Sequence, residues 1–185
     1  SVIRDSREGP IFLRRARGYV PFPVQLARPM QPVLAYGGMK KTPVCLTSGK
    51  NAFVSQHLGD LTDAQTLEFF AGITDHLQDI FQAAPEVLAC DLHPDYLSTR
   101  YAIEQAEKRD LPLVRPQHHH AHIVACMAEY DSDAPVIGLA CDGAGLGSDD
   151  TIWGCEVLLS DYTDFERAGH LRYMRLPGGD AAVKE

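Results

Sequence analysis

The chain has 185 residues, 45% of them hydrophobic and 23% charged, with a formal net charge of -8 and a pI near 5.4. That is enough apolar material for one large or two small domains, and the acidic balance argues against a general nucleic-acid or anionic-membrane binder, which needs a basic face. No apolar run approaches the roughly 18–20 residues of a membrane span, and the N-terminus lacks a signal-peptide pattern, so the expected location is the cytoplasm. Cys45, Cys90, Cys126, Cys141 and Cys155 are widely spaced with no CxxC pair, and they read as reduced core thiols.

In chain order, residues 1–31 open with a short strand and then carry Pro10, Pro21, Pro23 and Pro29, with Pro32 just beyond. Such proline density forbids a regular helix and reads as the tail of an upstream domain followed by a linker. Three short apolar runs follow, Val33–Tyr36, Thr42–Leu46 and Asn51–Ser55, separated by the turn chemistry of Gly37–Lys41 and Ser48–Lys50. Thr62-Asp63-Ala64-Gln65 fits a capping box, and Leu67, Phe70, Ile73, Leu77, Ile80 and Phe81 keep a helical spacing behind it. Val87–Cys90 reads as a buried strand, Tyr96–Lys108 as a helix, Leu111–Val114 as a strand and His118–Tyr130 as a third helix.

The polar break Asp131-Ser132-Asp133-Ala134-Pro135 ends this unit, and the strand pattern restarts with Val136–Cys141, Thr151–Leu159 and His170–Leu176. A strand meander, then helices alternating with strands, then a second meander, is the order of an α/β ribonuclease-H-like lobe of the actin-like ATPase type followed by the opening of a second lobe. The expected division is 1–31, 32–131 and an incomplete second lobe over 132–185. The second sheet, lacking cover, is expected to pair with a second copy or remain unordered.

Two motifs carry chemistry. Gln117 is followed by His118, His119, His120 and His122, four histidines within five positions, and residues four apart on a helix share a face. His118 and His122 can therefore aim at one metal ion; a plain pair of surface or core histidines is the alternative. Twenty residues after His122 comes Asp142-Gly143-Ala144-Gly145-Leu146-Gly147, whose glycine amides can approach a phosphate and whose carboxylate can face a cation. Asp-Gly is also ordinary hairpin chemistry. Lys41 is as well placed for solvent as for phosphate. Cys126, one turn after His122, has metal-ligand spacing but apolar neighbours. His57 and His93 are further candidates for a cleft, and His119 and His120 face elsewhere on the helix.

In combination, Arg14–Tyr19, Ser55–Leu61, Asp91–Tyr96, Gln117–His122, the 142–147 segment, Ile152–Gly154 and Leu176–Ala182 closely resemble the HypF family of carbamoyltransferases, in order and along the whole chain. The family acts in maturation of nickel–iron hydrogenases. The resemblance implies the end of a YrdC-like part and the first portion of a C-terminal carbamoyltransferase domain. It implies carbamoyl phosphate and ATP as substrates, carbamoyl-adenylate as the donor and the C-terminal cysteine of a HypE-like protein as acceptor, for synthesis of the cyanide ligand. It further implies His118, His122 and Asp142 around a transition metal, iron or zinc, with His118 and Asp142 as catalytic residues. Gly143, Gly145, Gly147 and Lys41 would lie at the nucleotide's phosphates, with Mg accompanying them. The turn after Gly38 departs from the family pattern: Met39-Lys40-Lys41 stands where a Glu precedes Leu-Lys, so that Glu's role is not carried over. A metal- and nucleotide-binding fragment without activity, or a tRNA threonylcarbamoyl-transfer-like protein, are the alternatives.

Overall fold

The computed structural model describes residues 1–7, 9–16, 18–40 and 42–173. Lys41, Arg17 and the 176–182 motif thus lie outside the described residues. The chain is α/β, with three sheets among the described residues. A hairpin of β1 (Val2–Arg4) and β2 (Ile11–Arg14) stands at the N-terminus. A five-stranded mixed sheet has the order β3-β5-β4-β6-β7, from β3 (Val24–Met30), β4 (Val33–Tyr36), β5 (Val44–Val54), β6 (Val87–Ala89) and β7 (Leu113–Val114). A separate three-stranded sheet has the order β10-β9-β8, from β8 (Val136–Leu146), β9 (Ile152–Ser160) and β10 (Phe165–His170).

Several expected elements shift. The runs at 42–46 and 51–55 are one continuous strand, β5, so Ser48–Lys50 is not a hairpin turn. The strand beside it comes from 24–30, inside the segment expected to be linker. Proline hid it: Pro29 cannot donate to a ladder, but β3 is an edge strand and its pairing slips between Gln25 and Met30, which accommodates the missing donor. A strand lies at Phe165–His170, earlier than the expected 170–176; residues 171–173 are not strand, and 174–176 lie outside the described residues.

The helices α1 (Ala64–Phe81), α2 (Leu97–Arg109) and α3 (His118–Glu129) fall close to their expected positions. The cap of α1 is Asp63 rather than Thr62: its carboxylate accepts the Thr66 N–H at 2.8 Å. Phe70 and Leu77 of α1 and Ala102 and Ala106 of α2 join Leu34, Leu46, Leu61 and Leu88 in one core. Each fully buried Leu or Phe there contributes roughly 1.5–3 kcal/mol of apolar burial. No helix among the described residues is long and apolar enough to cross a membrane.

The third helix departs from its sequence neighbours. It follows β7, yet Ile123 and Met127 cluster with Ala140, Trp153 and Leu158 of the second sheet, with Val136 and Phe165 at the margin. The Trp153 indole N–H is satisfied by Asp149 at 2.8 Å, and the Arg167 guanidinium lies 4.1 Å above its ring while pairing with the buried Glu156 at 2.7 Å. All five cysteines are unpaired, but Cys126 and Cys141 are exposed, so the expectation of core thiols holds poorly for those two.

Candidate metal centre

Three parallel strands of the first sheet end at one place. β4, β6 and β7 run in the same direction, and the residues just past their C-terminal ends include Gly38, Asp91 and His118. This is where open α/β sheets gather ligands. A Cβ built on Gly38 would stand 3.7 Å from Asp91 Oδ2 and 3.8 Å from the His118 ring, so the first turn does reach the histidine helix.

The helix starts at His118 because Gln117 caps it. The Gln117 side-chain oxygen accepts the His120 N–H at 2.9 Å, while its amide nitrogen donates to Leu146 O at 3.1 Å, tying α3 to the end of β8. One helical turn then places His122 Nε2 3.2 Å from His118 Nε2. Asp142, from β8 opposite, puts Oδ2 2.8 Å from His118 Nε2 and 3.7 Å from His122 Nε2. The three ligand atoms all lie within 4.8 Å of one another, the one such group among the described residues.

Charge favours a cation here. The hydrogen bond that His118 donates to Asp91, reinforced by that carboxylate's charge and by Asp142, raises the His118 pKa against the opposing effect of burial. Desolvation and then the His118 charge push His122 down. Burial would raise both carboxyls, but His118 and the His93 N–H hold Asp91 below the usual carboxylate range, and the Gly143 N–H and His118 do the same for Asp142. Two carboxylates thus face one easily protonated and one easily deprotonated imidazole. A metal replacing the His118 Nε2 proton would find two nitrogens and one oxygen, a donor set suited to iron or zinc.

The glycine motif is different from the loop expected. Residues 142–146 are extended and belong to β8, with a bulge between Cys141 and Gly145, and the turn comes later, where the Gly147 N–H donates to Thr151 O at 2.8 Å. The Gly143 N–H is held by Asp142 Oδ1 at 2.6 Å. Gly145 is instead a point of close approach: a Cβ would stand 2.7 Å from the His119 ring and 2.9 Å from that of His118. At Gly147 a Cβ would collide with the Trp153 indole nitrogen. Two of the three glycines therefore let β8 press against α3 and its own hairpin partner, and only Gly143 faces open space.

The other candidate histidines supply no atom to the cluster. His119 is fully buried against Trp153, its pKa lowered by burial. His120 is buried with Nε2 2.8 Å from Asp161 O. His93 stacks on Tyr96 with ring centroids 4.3 Å apart, and His57 uses its backbone N–H on Arg15 O. The residue that sequence reasoning missed is Asp91, whose Oδ2 lies 2.5 Å from His118 Nδ1. Its signal was a carboxylate directly after the buried strand Val87–Cys90, at a strand's carboxyl end.

Residues 28–129 match the family described as HypF Kae1-like domain, and residues 138–185 match Carbamoyltransferase, Kae1-like Domain, second subdomain. The fold is thus that of a Kae1-like domain in two parts. Among curated relatives, "Carbamoyltransferase HypF2" of Cupriavidus necator is 53% identical over the whole chain and 23% of its own length. "Carbamoyltransferase HypF" of Rhizobium leguminosarum bv. viciae is 44% identical over the whole chain and 24% of its own length. A crystal structure of full-length HypF in the phosphate- and nucleotide-bound form superposes with a TM-score of 0.88 at 43% identity, covering 94% of this chain and 23% of that one. YeaZ from Pseudomonas aeruginosa, at 15% identity, a TM-score of 0.51 and coverage of 76% of this chain and 65% of that one, shares the fold alone. The chain belongs to the HypF carbamoyltransferase family, and it spans about a quarter of the length of the curated relatives it matches.

Proposed function

We propose that this chain supplies the metal-binding part of a carbamoyl-transfer site, in which a carbamoyl group passes from carbamoyl-adenylate to the C-terminal cysteine of a HypE-like partner for cyanide-ligand synthesis. The observation that carries this is the meeting of His118, His122 and Asp142 within 4.8 Å in a chain of this family. A transition metal there, iron or zinc, would supply Lewis acidity toward a carbonyl oxygen. The chain's own residues bind and orient: two imidazoles from one face of α3, a carboxylate from β8 across from them, and open space at Gly143 for a phosphate. ATP or carbamoyl-adenylate, accompanied by Mg, would sit between this region and the turn at Gly38, with Lys41 as a phosphate ligand.

In this reading the two sheets are the first and second lobes of an actin-like cleft, the first lobe beginning with β3 near residue 24 rather than at 32. The protein works in the cytoplasm, with carbamoyl phosphate and ATP as substrates and no nucleic acid. The 185-residue chain by itself binds without turnover and self-associates. Its second sheet supports that: Ile137 is 76% exposed and Leu139 68%.

The test is metal content. His122→Ala abolishes stoichiometric metal by elemental analysis and leaves thermal unfolding unchanged, because the side chain is largely exposed. Unchanged metal in that variant rejects the centre. In the full-length protein, Asp142→Ala or His118→Ala stops carbamoylation of the partner's cysteine, read by mass spectrometry, while pyrophosphate exchange by the adenylating part continues.

A further inference from the structure

Asp91 has no place among the three grouped ligands, yet it is the most tightly held carboxylate near them. Its side chain is 7% exposed and both oxygens are committed, Oδ2 to His118 Nδ1 at 2.5 Å and Oδ1 to the backbone N–H of His93 at 2.8 Å. A carboxylate can only accept. His118 Nδ1 must therefore carry a proton, and so must Nε2 while the Asp142 carboxylate faces it at 2.8 Å; a metal bound between His118, His122 and Asp142 displaces the Nε2 proton and leaves the Nδ1–H donating to Asp91. The ring is aimed, and the nitrogen that keeps its proton on metal binding is assigned, by the same contact.

We propose that Asp91 is a positioning residue for the metal centre, fixing both the orientation of the His118 ring and the tautomer that leaves Nε2 free to ligate. The proposal rests on the metal reading of His118, His122 and Asp142. It assigns a role to the strand end after β6 as well as to α3 and β8, so three elements hold the centre rather than two.

The inference separates from a merely structural role by the sign of one comparison. In Asp91→Asn the shape is kept, but the backbone N–H of His93 still requires an acceptor, so the amide oxygen stays there and the NH2 turns toward His118 Nδ1. The ring then places its proton on Nε2, where the metal would bind. Asp91→Ala leaves Nδ1 to water and the tautomer free. If Asp91 only filled space, Ala would be the more damaging change and Asn the benign one; if it selects the tautomer, the order reverses.

The experiment titrates Co(II) into the 185-residue chain, reading the metal's visible absorption, with Zn(II) competition for tight binding, for wild type, Asp91→Asn, Asp91→Ala and His118→Ala at one pH. Loss of an outer-shell partner of a metal-bound histidine weakens affinity by about 10–100-fold. The expected result is a loss of about 10-fold in Asp91→Ala and about 100-fold in Asp91→Asn, with a changed absorption envelope in both. Asp91→Asn binding within about twofold of wild type, or better than Asp91→Ala, overturns the role of Asp91 while a weakened His118→Ala keeps the centre standing. Undiminished Co(II) affinity in His118→Ala overturns the centre itself, and Asp91's role with it. Asp91→Ser replaces Asp91→Ala should the latter fail to fold.

Discussion

The two larger sheets solve the same burial problem unequally. In the five-stranded sheet Leu34, Leu46 and Leu88 are fully buried, because α1 and α2 cover them and β4 is paired on both sides. Among the described residues the three-stranded sheet is covered on one face only, by α3, so that Gly138 and Ala140 are buried while Ile137 and Leu139 on the opposite face stand open. Its first strand β8 is also an edge strand among the described residues. A complete core and a half-built one thus meet at α3, the helix that carries the histidines. The proposed metal ligands are split in the same way: His118 and His122 come from the chain that continues the first sheet, Asp142 from the second.

The largest effect should come from the complete core. Leu88→Ala costs about 2–5 kcal/mol, since a buried leucine loses its contacts and leaves a cavity that β4 and β7 cannot close. At dilution, where the chain is monomeric, Leu139→Ala on the open face changes stability by about 0.5 kcal/mol or less. Urea denaturation of both variants measures the contrast. A loss at Leu139 as large as that at Leu88 would mean that the outer face of the second sheet is covered in solution.

The join between the regions is tested by glycine. Gly145→Ala forces a methyl group into the His118 and His119 rings and costs about 1–3 kcal/mol. It also displaces His118 and lowers metal content without altering any ligand. Gly143→Ala meets nothing within 4 Å and leaves both stability and metal content as they are. Equal behaviour of the two would show that β8 does not press on α3.

Much of this division was legible in the sequence, and the failures share a cause. Helical periodicity found α1, α2 and α3 because a buried stripe repeats locally, and the restart of strands after Pro135 marked the second sheet. The i, i+4 spacing of His118 and His122, and Asp142 beyond them, was readable for the same reason. What could not be read was set by partners distant in sequence. Val24–Met30 became a strand despite Pro29 because β5 offered it an edge, and Asp142–Leu146 became strand rather than loop because β9 pairs with it. Asp91 gained its role only when the ends of β6 and β7 were brought together, 27 residues from His118 in the chain.

The two helix caps give the smallest and finest contrast. Gln117 and Asp63 do the same local work, accepting an N–H in the first turn of α3 and α1. Gln117 also reaches across to Leu146 O, so Gln117→Ala costs about 0.5–2 kcal/mol and loosens the helix from β8, weakening metal binding as well. Asp63 is exposed and its side-chain hydrogen bonds stay within the first turn of α1 and adjacent Thr62, so Asp63→Ala is the milder change and leaves metal content untouched. It should carry a pH signature that Gln117→Ala lacks. The Thr66 N–H, then its hydroxyl, lowers the Asp63 pKa below its ordinary 3.8, so the cap's contribution is fully present above that value. It disappears as pH falls through the depressed folded value. Denaturation midpoints of wild type and Asp63→Ala should therefore converge in acid, while the gap between wild type and Gln117→Ala should not close for this reason. A gap for Asp63→Ala that stays constant through the carboxylate range would show that its cap is not the charged one described.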